Sequence, residues 1–296
     1  MKKIISLAIL ILVLVSMQNS FADDFKLLGE KTLQTEPGKS LNISLIAGNV
    51  IINSWSKNEV EVKMYGNEKA EENLTFDVSA VDAGVRVDAQ SKSGAKIKGN
   101  LSVKFDIKVP SNYNVDIHTG GGNVKLDVLT GNAKINTAGG NIDVDKVTGN
   151  INASTAGGNI SIDGSKGNVD LSTSGGNIKV DGFDGDVNVS TAGGNIKLDG
   201  SNGEVKASTA GGNIKLEYSG KNMGIDLSTL AGSINVEIPA DFDAEADIST
   251  LTGNINSDFG SPKNDFVSSH LKTTINNGGN KLKCSTLAGD VKLKKR

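Results

Sequence analysis

The chain has 296 residues with a formal net charge of −3, 22% charged residues and only 4% aromatic side chains. That balance, with arginine confined to Arg86 and Arg296, excludes a nucleic-acid reader, which needs a basic face and forked guanidinium donors. The 36 glycines and the lone Cys284 exclude a disulfide-stapled domain, and point to a repeat protein with a thin aliphatic interior.

Residues 1–22 read as a secretory signal peptide. Met1-Lys2-Lys3 precedes a mostly apolar run from Ile4 to Val15 that is too short to span a bilayer, and Ser20-Phe21-Ala22 offers small residues for cleavage before Asp23. No later stretch has the length of a transmembrane helix. The expectation is an exported chain, periplasmic or at the cell surface. Residues 23–118 read as degenerate β-strands that cap a stack, with an excursion around Asn67 to Ala95. A return strand then alternates Val103, Phe105, Ile107 and Val109 inward until Pro110 stops it.

From Thr119 the repeat decides the fold. Thr119, Thr137, Thr155, Thr173, Thr191 and Thr209 recur at a spacing of 18, as do asparagines from Asn123 to Asn213, each after a Gly-Gly pair. Gly131, Gly149, Gly167, Gly185 and Gly203 fall halfway between the pairs. Each coil is two nine-residue halves of glycine, polar residue, apolar-x-apolar and turn. Ile142/Val144, Ile151/Ala153, Ile160/Ile162 and Val169/Leu171 carry the period of two that marks strands. The fold class is therefore all-β: a β-solenoid, like a parallel β-helix, with two-strand coils over residues 119–296 and irregular caps. Equivalent side chains line up at about 4.8 Å per coil. Glycine corners supply φ > 0, and asparagine combines tolerance of the left-handed region with an amide that ladders along the stack. Later Ser-Thr-Leu-x-Gly copies at Ser228, Ser249 and Ser285 continue the unit, and the tail Lys292–Arg296 is expected to blunt the far edge with charge.

These motifs resemble a bacterial, exported β-strand-repeat family of unknown function called "putative adhesin". The resemblance rests on Val109-Pro110, Val115-Asp116-Ile117-His118-Thr119 and Gly122-Asn123-Val124, which recur as Ile238-Pro239, Ala246-Asp247-Ile248-Ser249-Thr250 and Gly253-Asn254-Ile255. It covers most of the chain after residue 22. It implies adhesion and supplies no catalytic residues.

Four outward features invite chemistry. Asp127, Asp145, Asp163, Asp181, Asp199 and Glu217 form an acidic column, but Lys125, Lys179, Lys197 and Lys215 stand two residues earlier on the same face to offset it. The nonapeptide calcium roll fails because Ile142 and Val144 occupy its ligand positions. The Ser-Thr pairs, such as Ser154-Thr155, can turn only one member outward, so corner hydrogen bonding outranks an ice-binding face. His118 and His270 are expected near opposite ends of the rod, with surface or packing roles, and Cys284 as a packed structural thiol. No catalytic, metal or cofactor site is expected. The functional reading is a non-enzymatic, adhesin-like binding or scaffold protein of the cell envelope or surface, with a surface glycan or envelope protein as partner. The alternatives are a glycan-acting enzyme on the same scaffold and a self-assembling rod.

Overall fold

A computed structural model describes residues 25–94, 100–265 and 268–296, so the signal-peptide reading lies outside the described residues. In the regular region each coil contributes one strand to each of two sheets. Ile142–Thr148, Ile160–Lys166 and Ile178–Asp184 stack parallel in the first sheet; Ile151–Thr155, Val169–Thr173 and Val187–Thr191 do so in the second. Register is an offset of one repeat, with Ile142 beside Ile160 beside Ile178, so the β-solenoid inferred from the repeat is what the chain forms. The alternating aliphatic residues face inward and are almost wholly buried. Burial in identical columns makes the coils add stability through neighbours alone.

The two glycines of each pair act differently. A Cβ on Gly176 would stand 1.8 Å from the Gly158 carbonyl oxygen, whereas one on Gly175 meets nothing within 4 Å. The halfway glycines Gly131, Gly149, Gly167 and Gly185 do take positive φ. The asparagines ladder as expected, the Asn159 amide N–H donating to Asn141 Oδ1 at 2.8 Å and Asn177 to Asn159 at the same distance. They do not use the left-handed region. In the coils that region is taken by the residue after the column aspartate, as at Val128, Lys146, Gly164 and Gly182, where neighbouring strands step out of the ladder at the same point and keep register.

The ends of the stack depart from chain order. Among the described residues the first sheet holds 13 strands and the second 14. Strands Ser40–Leu45 and Asn49–Trp55, the first coil in sequence, lie inside the later strands Gly84–Ser91 and Val103–Pro110, against Asn114–Thr119 and Val124–Thr130. The far end repeats the device. The final strands Lys281–Ala288 and Val291–Lys295 insert between the coil at 225–238 and the coil at 244–257. The tail therefore does not blunt an edge: Val291–Leu293 is flanked by strands on both sides, and Lys294 and Lys295 meet Asp258, with Lys294 Nζ 3.2 Å from Oδ1.

Antiparallel strands close the near end of both sheets and the far end of the second. Lys26–Gln34 pairs with Glu59–Gly66, and Leu74–Val81 with Gly84–Ser91, so the excursion after Asn67 holds a one-turn helix, Glu68–Asn73, and two strands. The edge strand Lys26–Gln34 carries a register shift between Leu27 and Gly29 and three charged residues, features that discourage edge-to-edge pairing. At the other end Ser269–Ile275 runs antiparallel to Ala244–Thr252.

Candidate binding groove

The stacking order brings together side chains that are distant in sequence. On the second sheet, strands Val205–Thr209, Ile225–Ala231, Lys281–Ala288, Ala244–Thr252 and Ser269–Ile275 are consecutive neighbours. Three outward columns cross them. The first reads Lys206, Asp226, Lys283, Asp247, Lys272, with signs alternating at every step. Lys283 lies 3.5 Å from Asp226, and Lys272 lies 3.6 Å from Asp247. The second column is Ser208, Ser228, Ser285, Ser249 and His270. The third lies at the corner just after the buried threonines, where Ala210 gives way to Leu230, Leu287 and Leu251, which are 55%, 52% and 50% exposed.

Between the leucine ridge and the sheet face runs an open groove of about 620 Å³, lined by the leucines, the serine column and His270. Half-exposed leucines in a row are unusual for a surface that meets only water. In the regular coils the same corner position holds Ala138, Ala156, Ser174 and Ala192, so the ridge is local to this end.

Each buried threonine turns its hydroxyl into the corner: Thr173 Oγ1 donates to the Gly158 carbonyl at 2.9 Å and accepts from the Gly176 N–H at 3.3 Å. Threonine is thus a corner fastener and serine the outward member of the pair. The acidic column is in register on the first sheet and extends to Glu237, which the altered spacing of 20 hid. Lysine offsets it over its later half: Lys179 bonds Asp181, Lys215 lies 2.8 Å from Glu217 and 3.6 Å from Glu237. The hydrogen bond from Lys215 holds the Glu217 carboxyl below the ordinary range. Among the described residues, no group of three or more metal-ligating side chains is arranged to hold an ion.

His118 and His270 lie on the same sheet, nine strands apart, or about 43 Å at the spacing of stacked strands. Each is near an aspartate: His118 Nε2 is 2.9 Å from Asp116, and His270 Nε2 is 3.4 Å from Asp247. Ser249 is the cross-strand partner of His270, so serine, histidine and aspartate share one surface. Activation of a nucleophile needs a hydroxyl–imidazole hydrogen bond. None joins His270 to a serine among the described residues, and both histidine and aspartate are open to solvent. Cys284 is fully buried, and desolvation drives its thiol far above the ordinary range.

The chain is similar to several solved structures. One is a "putative adhesin" of Bacteroides fragilis NCTC 9343, at 12% identity and a TM-score of 0.48, covering 92% of this chain and 98% of that one. A second, a "putative adhesin" of Parabacteroides merdae ATCC 43184, has 14% identity and a TM-score of 0.35, covering 90% and 96%. A "putative lipid binding protein" of Parabacteroides distasonis ATCC 8503 has 13% identity and a TM-score of 0.37, with the same coverage of 90% and 96%. No curated protein matches the sequence. A family model described as Toastrack DUF4097 matches residues 39–294, and the chain belongs to that family.

Proposed function

We propose that the protein is an exported, adhesin-like binding or scaffold protein without enzymatic activity, and that it makes its principal contact through the leucine-rimmed groove. The observation that carries this reading is the row Leu230, Leu287, Leu251, built from three separate chain segments and left about half exposed. Burying such a row against a partner recovers apolar area at about 25 cal/mol per Å². The alternating charges beside it favour a protein surface over a glycan, which is usually received on aromatic platforms. The one tryptophan, Trp55, instead lies under Lys57 and Lys108 at 4.6 and 5.2 Å from its ring centroid. The non-enzymatic reading draws support from lysine-paired carboxylates and a buried thiol.

The test is binding of the purified mature protein to isolated envelopes, to surface glycan and matrix panels, and to itself. Binding should fall about tenfold or more in a Leu230→Asp/Leu287→Asp variant of unchanged thermal stability. Binding that is absent throughout, or indifferent to these leucines, would remove the reading. Amino-terminal sequencing of the exported product should begin at Asp23.

A further inference from the structure

We propose that the partner seated on this groove is a second copy of the chain, packed about a two-fold axis parallel to the strands of the second sheet. The axis lies between Ile225–Ala231 and Lys281–Ala288. The inference rests on reading the groove as a contact surface, and names its occupant from the order of side chains in the three columns.

A two-fold axis of that direction reverses the stacking order and brings each column against its own copy. Most columns would clash with themselves in this way, because like meets like. The column that begins at Lys206 does not, while the next one out sets Glu204 near Glu245 of the second copy, a repulsion that keeps the contact weak. The order Lys206, Asp226, Lys283, Asp247 becomes the complementary order when reversed about the midpoint between Asp226 and Lys283. Asp226 then faces Lys283 of the second copy, and Lys206 faces Asp247 of the second copy. All four keep side-chain accessibilities of 42–56%, so each can add a contact across the interface to the ion pair it makes within its own chain, Lys206 with Glu204, Lys283 with Asp226 and Asp247 with Lys272.

The same operation fits the apolar column. Leu230 meets Leu287 of the second copy at the centre, and the outlying Leu251 falls opposite the small Ala210, a bump against a hollow. The serine column meets itself through hydroxyls, which donate and accept equally well. The five strands, with Val187–Thr191 falling opposite Ser269–Ile275 of the second copy, make six at about 4.8 Å, and with three columns they give a patch on the order of 500 Å² per copy, below the ~800 Å² of a standard interface. The expected dimer is therefore weak and concentration-dependent. Sheet twist confines contact to these strands, since two stacks packed face to face diverge at about 30°.

The register makes the proposal testable by charge exchange. Lys206 and Asp247 lie three strands apart within one chain, yet pair across the proposed interface. Sedimentation of the wild-type protein should show a monomer–dimer equilibrium, and Leu287→Asp should leave only monomer. Lys206→Glu alone sets two carboxylates face to face across the interface, and Asp247→Lys alone sets two ammonium groups face to face. Each should therefore weaken self-association about tenfold or more. An equimolar mixture of the two variants should regain it as a heterodimer, because one of its two contacts then joins the introduced carboxylate to the introduced ammonium and the other restores the original pair. Wild-type protein that stays monomeric at every concentration would overturn the proposal. So would a dimer indifferent to Leu287→Asp, or a mixture no tighter than its components. Monomeric protein whose envelope binding still depends on the leucines would remove the dimer and leave the groove reading standing; loss of both dependences would remove both.

Discussion

At each Gly-Gly corner the second glycine lets one coil settle onto the carbonyl of the coil before it, and the first leaves its Cβ direction open to water. The pair therefore predicts opposite outcomes for adjacent substitutions. Gly175→Ala should change stability by no more than about 0.5 kcal/mol in chemical denaturation. Gly176→Ala, whose methyl would collide with the Gly158 backbone, should cost about 3 kcal/mol or more, because neither strand can move without breaking register with its neighbours. The other corner column shows packing by alternation of size. Phe183 and Tyr218 approach to 6.4 Å between ring centroids because Gly200 stands between them, and a Cβ there would lie 2.4 Å from the Phe183 ring. Before Phe183 in the stack comes Ser165, 1% exposed, whose hydroxyl has no partner. Ser165→Ala should raise stability by about 1 kcal/mol, measured by the same denaturant midpoint, since it removes an uncompensated polar group from the core.

Among elements, the last coil is the one whose position the sequence conceals. Its Ser285-Thr286-Leu287 reads like every other copy of the unit, and the inward Leu282, Cys284, Val291 and Leu293 suit any place in the stack. Repeat spacing, inward columns and threonine corners were legible because they depend on local periodicity. Insertion was not, because the choice of neighbour depends on the outward residues of three coils together. Lys283 separates Asp226 from Asp247, and Lys294 separates Glu237 from Asp258. The leucine ridge escaped the sequence for the same reason: Leu251 and Leu287 are neighbours only because the last coil turns back. Lys283→Asp would set three carboxylates in a row at strand spacing, and should destabilise this end by about 1–2 kcal/mol at low salt, less at high salt. The buried Cys284 reports on it directly, since its thiol can be labelled only when the coil opens; labelling in the variant should be faster. Acid should act in the same direction. Backbone N–H donation from Lys295 and the Lys294 ammonium hold the Asp258 carboxyl below its ordinary value. Its contribution is therefore complete at neutral pH and is lost as pH falls through that lowered value. Cys284 labelling should accelerate there, and the acceleration should be smaller in Asp258→Asn.

For the whole molecule, stability is a chain of nearest-neighbour contacts, so what can be removed depends on whether the remaining faces still match. Excision of residues 157–174 deletes one repeat of 18 and rejoins identical corners, Ala156 to Gly175. The shortened protein should fold with a rod shorter by about 4.8 Å, readable by small-angle scattering. Removal of residues 281–296 deletes no more chain, yet should abolish cooperative unfolding in a thermal melt. It bares the edges of two strands in each sheet and leaves Asp226 confronting Asp247 across the gap.

The inserted last coil also decides how the molecule would respond to tension. A strand at the end of a sheet can be unzipped one hydrogen bond at a time. Val291–Leu293 is gripped on both flanks by parallel strands, and Lys294–Lys295 on one, so a pull on Arg296 loads two ladders along the strand direction, and several bonds must yield at once. The strand at 291–295 is thus the mechanically stronger point of attachment. The first strand among the described residues, Lys26–Gln34, is instead an edge strand, which would peel first. A tether attached to this protein would fail from the front and hold at the back.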